Sequence, residues 1–179
     1  MSALRAVLVT LAIASAAPDG RAQGGRPPSL APTTTPAPTL SIRLAEPSPA
    51  DVALLAQCLA DAREHPRACL GRIQKPCQET EAGQTTLGAM ACADRERAVW
   101  SLHMTAAAQA VRSRLLPERT PFFDAAEDAW SAYRDASCRY EASAYIGGSL
   151  AKVESADCLL NETADHTVEL EEEARGDGE

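Results

Sequence analysis

From Ala50 onward the apolar residues recur at helical spacing, and nowhere does the chain show the strict alternation of a half-buried strand. A first helix is predicted from about Pro49-Ala50-Asp51, with Val52, Leu55, Leu59 and Ala62 on one face. Pro66 ends it, because the residue before a proline avoids the helical region. After a loop containing Gly71, Pro76 and Gly83, a second helix is predicted from Thr86 to Leu116, where Trp100, Met104, Ala107, Val111 and Leu115 form its stripe. Pro117 stops it. The third starts with Thr120 as N-cap and Pro121 at the first helical position, and its predicted core face is Phe123, Ala126, Trp130, Tyr133, Ser137, Tyr140 and Ala144. Gly147-Gly148 ends that helix, and Ser149 caps a fourth whose inward face includes Leu150, Val153, Ala156, Leu160, Thr163, Thr167 and Leu170. Four amphipathic helices with short connections predict an all-α fold, a four-helix bundle made of two antiparallel hairpins.

The flanks have a different character. Residues 1–22 have the pattern of a signal peptide: Arg5, an apolar stretch from Ala6 to Ala17, and the small-residue sites Ala14-Ser15-Ala16 and Gly20-Arg21-Ala22. That apolar stretch is too short to span a bilayer core of about 30 Å as a helix. Residues 23–49 are rich in Pro and Thr and predict a disordered tether, since repeated prolines block regular structure and few apolar groups offset the entropy of ordering. Residues 50–170 form the expected helical domain, and 171–179 an acidic tail that frays into solvent.

Charge and cysteines narrow the chemistry. The formal net charge is −8, and no basic stripe offers phosphate contacts, which excludes a nucleic-acid partner and favours a cationic protein. All six cysteines, Cys58, Cys69, Cys77, Cys92, Cys138 and Cys158, lie in the helical domain. In an exported chain they predict a disulfide framework, and with no Cys-x-x-Cys pair no metal or cofactor is expected. Hairpin geometry selects among the connectivities. Cys138 and Cys158 each lie ten residues from Gly148, so each sits about 15 Å from the turn and the two are level. The same symmetry centres Cys69 and Cys77 on Ile73, and Cys58 and Cys92 on Lys75. The expected pairs are therefore 138–158, 58–92 and 69–77.

The run Trp130-Ser-Ala-Tyr133-Arg134-Asp135-Ala-Ser-Cys138, then Gly147-Gly148-Ser149, then Cys158-Leu-Leu-Asn-Glu-Thr163, resembles the N-terminal domain of the LprI family. These are small exported bacterial proteins described as lysozyme inhibitors. Upstream, Thr85-Thr86, Met90, Cys92, Glu96 and Trp100 agree with the same pattern, and the resemblance covers roughly residues 52–170. Where that pattern carries Asp, Leu-Asn, Tyr and Arg, this chain has Ser101, Met104-Thr105, Ala108 and His166. The resemblance implies an exported binding protein, periplasmic or secreted, that blocks a cationic cell-wall hydrolase such as lysozyme by occlusion.

Periodicity assigns Trp130 and Tyr133 to core packing, and Arg134 and Asp135 to hydrogen bonds beside it. Gly147, Gly148 and Ser149 are explained by turn and cap requirements. Catalysis has little support: Glu127, Asp128 and Asp135 share one helix without an identifiable partner, and no Gly-x-Ser-x-Gly motif is present. The alternative to an inhibitor is a non-catalytic structural or envelope-associated domain with no lysozyme contact. A small enzyme or ligand carrier would require an open apolar pocket inside the bundle.

Overall fold

The computed structural model describes residues 43–176, so the predicted signal peptide, residues 23–42 of the predicted tether and the last three residues lie outside it. The described chain is all-helical. Helix α1 spans Pro49–Asp61, α2 Gln74–Gln78, α3 Thr86–Arg114, α4 Thr120–Ala142 and α5 Leu150–Arg175, with 3-10 turns at Pro66–Cys69 and Ser143–Tyr145.

Local chemistry sets several of these boundaries. Ser48 and Asp51 form a reciprocal capping box at the start of α1, the Asp51 carboxyl accepting from the Ser48 amide at 2.6 Å. Arg95 of α3 forks onto the same carboxyl at 2.8 and 2.9 Å and pins α1 to α3. Burial alone would raise the Asp51 carboxyl, but the Ser48 amide and hydroxyl and the Arg95 guanidinium outweigh it and hold it below its ordinary value. Thr85 caps α3, its hydroxyl accepting from the Gly88 amide at 2.9 Å. Gly88 also leaves no room for a side chain, since a Cβ there would run into the Ala82 carbonyl.

Two expected caps differ. Arg119, not Thr120, occupies the N-cap of α4, and Ser149 precedes α5 without a side-chain capping bond. Gly147 takes the left-handed conformation at φ 82°, as a turn there requires, but α4 itself ends at Ala142 and the 3-10 turn carries the chain to Tyr145. The acidic segment after Leu170 does not fray at once. It continues α5 to Arg175, because Ala174 packs beside Leu170, Ala107 and Val111, and Gly176 closes the helix at φ 81°.

Helices α3 and α5 form the central interface and run in the same direction: the Thr167 hydroxyl meets the Trp100 carbonyl, and His103 meets Glu171. The main core gathers Leu55, Ile73, Val99, Trp100, Leu160 and Ala164, and Ala107, Val111 and Leu170 form a second cluster further along. Helix α4 packs on the flank of α5, where Cys138 is its only fully buried residue.

The disulfide pairing departs from the expected one in the first half of the domain. Cys138 pairs with Cys158, but Cys58 pairs with Cys69 and Cys77 with Cys92. The chain between α1 and α3 is not one long hairpin with a mirror centre. The 3-10 turn after α1 reverses it immediately and returns Cys69 to Cys58. A second reversal after α2 delivers Cys77 to Cys92.

The same loop is tied down by Glu96, which is completely buried. Its carboxyl oxygens accept from the amides of Gly71, Ile73 and Gln74 at 2.6, 2.9 and 2.6 Å, and from the Trp100 indole at 3.2 Å. One side chain of α3 thus organises a connection that has little regular structure of its own.

The face of α4 is also rotated from the predicted one. Cys138 must point at α5, and Tyr133 and Tyr140 then lie roughly 140–160° away at 100° per residue. They are 63% and 79% exposed, and Ala126 and Ala144 are exposed as well. Phe123, Trp130 and Ser137 of the predicted face are half-buried, and Asp124, Glu127, Arg134 and Cys138 turn inward beside them.

Candidate functional site

The LprI-like pattern from Trp130 to Thr163 lies on the α4–α5 hairpin, but not all on one surface, and its upstream part from Thr85 to Trp100 lies on α3. Trp130 is half-buried, its ring stacked on His166 of α5 with centroids 3.9 Å apart and planes within 15°. The Arg134 guanidinium, one turn on, lies 5.0 Å from the same ring, a cation–π distance. Arg134 is also fixed by Asp135, which accepts from Nε at 2.9 Å and from the terminal nitrogen at 2.7 Å. Tyr133 points away from this group into solvent.

His166 is the hub of the hairpin. Its Nε2 lies 3.0 Å from Glu127 across the helix pair, and its Nδ1 lies 3.3 Å from Glu169 on its own helix. Nothing in the spacing of α5 marks this role; the position stands out only as the His that replaces Arg in the LprI-like pattern. An Arg there would offer a planar, donor-only group to the same indole and carboxylates. Replacing His166 with Ala removes the stack and both carboxylate contacts, and is expected to lower stability by about 1–2 kcal/mol. His166→Arg should stay within about 0.5 kcal/mol of the parent. Urea denaturation of both variants checks this: an unchanged His166→Ala would show that the stack contributes nothing, and equal losses that Arg does not replace the histidine.

Thr163 is fully buried and donates to the Leu159 carbonyl at 2.7 Å, while Thr167 donates to the Thr163 carbonyl at 2.6 Å. Both pack between α5 and α3 and present nothing outward. Among the departures, Ser101 and Thr105 spend their hydroxyls on carbonyls one turn earlier in α3. Ala108 sits half-buried beside the second apolar cluster.

The outer side of α5 and the start of α4 carry the acidic surface, including Asp128, Glu169, Glu172 and Glu173, all exposed. Burial pushes the Asp165 carboxyl above its ordinary value; the Arg67 guanidinium, 2.6 Å away, opposes this, and Glu169 adds to it. Asp157 is likewise raised by burial, against a hydrogen bond from Gln74 at 2.5 Å and with Glu154 adding to the rise. An open cleft of about 640 Å³ lies where α3 ends and α4 begins, and Arg114, Arg119, Glu169 and Glu173 line it. Among the described residues no group of His, Cys, Asp and Glu is arranged to hold a metal ion. None of their helices is long and apolar enough to cross a membrane.

The arrangement is thus a rigid, stapled hairpin on a packed core, with an acidic ridge along one side. One sequence-family model, described as Lysozyme inhibitor LprI, matches residues 77–170. That span begins at Cys77, so it includes the 77–92 and 138–158 bridges, Glu96 and the hairpin as far as Leu170, and leaves α1 and the 58–69 bridge outside. No curated protein and no solved structure matches the chain. With more than half of its length inside that match, the chain belongs to the lysozyme inhibitor LprI family.

Proposed function

We propose that this protein is exported, binds a cationic cell-wall hydrolase of the lysozyme class and blocks it by occlusion, without chemistry of its own. The observation that carries the reading is the family match over residues 77–170. Two further features support it. The chain has a net charge of −8, which steers a cationic enzyme toward it. Three disulfides hold the domain rigid, so little ordering entropy opposes binding. They also suit an oxidising compartment, with residues 1–22 as the export signal and 23–49 as a tether.

The test is clearing of a cell-wall suspension by lysozyme in the presence of the purified protein. Inhibition is expected at low ionic strength and is expected to weaken as salt screens the acidic ridge, with a Debye length of about 8 Å at physiological ionic strength. Undiminished lysozyme activity at large molar excess would sink the proposal. Recovery of envelope assembly components without any hydrolase, from a pull-down in periplasmic extract, would then favour the structural alternative.

A further inference from the structure

Helix α4 leaves an apolar stripe uncovered and turns several charges inward. A surface helix normally turns its apolar stripe to the core and its charges to water. Here the half-buried side mixes Asp124, Glu127, Arg134 and Asp135 with Phe123, Trp130 and Cys138, whereas Phe122, Ala126, Ala129, Tyr133, Ala136 and Tyr140 form an exposed stripe without a single charge. Phe122, Tyr133 and Tyr140 are 77%, 63% and 79% exposed. The stripe repeats at intervals of four, three, four, three and four, the seam of a helix that pairs with another helix.

We infer that a second copy of this chain covers the stripe, α4 against α4 in antiparallel orientation. The seam is self-complementary in one register. When the two-fold axis passes between Arg134 and Asp135, Tyr133 of each copy lies opposite Ala136 of the other, and Tyr140 opposite Ala129. Both tyrosines then meet an alanine, Phe122 falls beyond the paired segment opposite Gly147, and the small residues let the helix axes approach to the lower end of the usual 8–10 Å. The same register places Arg139 of one copy two residues, about 3 Å along the axis, from the level of Asp128 of the other, on the same flank of the seam. Both side chains are exposed, and among the described residues neither makes a hydrogen bond or ion pair within its own chain. Charge also selects this face. Two chains of net charge −8 repel each other, and a stripe free of charge, flanked by Asp128 and Arg139 on one side and Glu141 on the other, keeps like charges off the seam itself.

A single helix pair is a small interface, below about 1,200 Å², so the dimer is expected to be reversible, with a Kd between about 1 μM and 1 mM. Sedimentation velocity of the purified chain across that range should show a monomer–dimer equilibrium. Ala136→Glu places a charge in the seam at an exposed helical site that tolerates glutamate, so helicity by circular dichroism should be unchanged. It should raise the dimer Kd at least about tenfold. Arg139→Asp should weaken the dimer, and adding Asp128→Arg should restore it. A chain that stays monomeric throughout overturns the inference; if its Ala136→Glu variant also loses hydrolase inhibition, the stripe belongs to the hydrolase instead. A dimer indifferent to Ala136→Glu overturns it equally. The inference is independent of the hydrolase reading, since sedimentation requires no lysozyme.

Discussion

Glu96→Ala is expected to destabilise the protein by about 4 kcal/mol and to corrupt its disulfide pairing. Three backbone amides and one indole lose their acceptor in that variant. A buried donor left unsatisfied costs about 1–3 kcal/mol, and the sum falls short of four full penalties because the Gln74 amide lies near the surface and can recruit water. Total stabilities of domains are about 5–15 kcal/mol, so the loss is large. Glu96→Gln keeps the shape but presents an NH2 to donors in place of one oxygen, and should cost roughly half as much. The second consequence is topological. Without the acceptor on α3, the amides of residues 71–74 lose their anchor on the helix, only the Ile73 side chain still holds that stretch to the core, and the loop that keeps Cys69 beside Cys58 loosens. Oxidative refolding of Glu96→Ala, followed by disulfide mapping, should yield the mirrored pairs 58–92 and 69–77 alongside the native ones. A urea midpoint near the parent's together with native pairing alone would show that the loop holds itself.

That loop is also where reading the sequence fails, for a physical reason. The helices are legible because apolar periodicity and prolines mark them directly, and α3 starts at the predicted Thr86. The 138–158 bridge is legible too, since two helices and one glycine turn leave little freedom in the height of each cysteine. Between α1 and α3 the conformation is set by hydrogen bonds from loop amides to Glu96, and backbone amides leave no trace in the residue pattern. Glu96 is visible in the sequence only as a member of the LprI-like pattern, with no indication of what it holds. The rotation of α4 has a different origin. Its sequence offers two faces with helical spacing, and hydropathy favours the one that the structure exposes. Only the requirement that Cys138 face Cys158 decides between them. His166 is a third case: its role depends on Trp130 and Glu127, more than thirty positions away, meeting it across the hairpin.

Removing the 138–158 bridge, with Cys138→Ser and Cys158→Ser together, is expected to cost about 3 kcal/mol and to act locally. The magnitude follows from closing a loop of sequence separation 20, for which the lost chain entropy corresponds to about 3 kcal/mol. The locality follows from how little else retains α4. Cys138 is its only fully buried residue. At its N-terminal end Phe123 packs on the Ala107, Val111 and Leu170 cluster, while the Arg112–Asp124 pair at 2.8 Å is about half exposed and contributes little. Midway, the Trp130–His166 stack and the Glu127 contact remain. Beyond them, from about Ser131 through the 3-10 turn to Ile146, the helix has no buried apolar anchor once the bridge is gone. That segment should therefore open at a free energy well below that of global unfolding. Hydrogen exchange should quicken across residues 131–146 while amides around Trp100 in α3 and Leu160 in α5 lose less protection. Protection falling equally in α3 and α4 would mean that the hairpin is not separately anchored. The comparison also separates fold from function: if the opened variant keeps its core but no longer inhibits lysozyme, the rigid hairpin, not the packed α3–α5 pair, carries the binding surface.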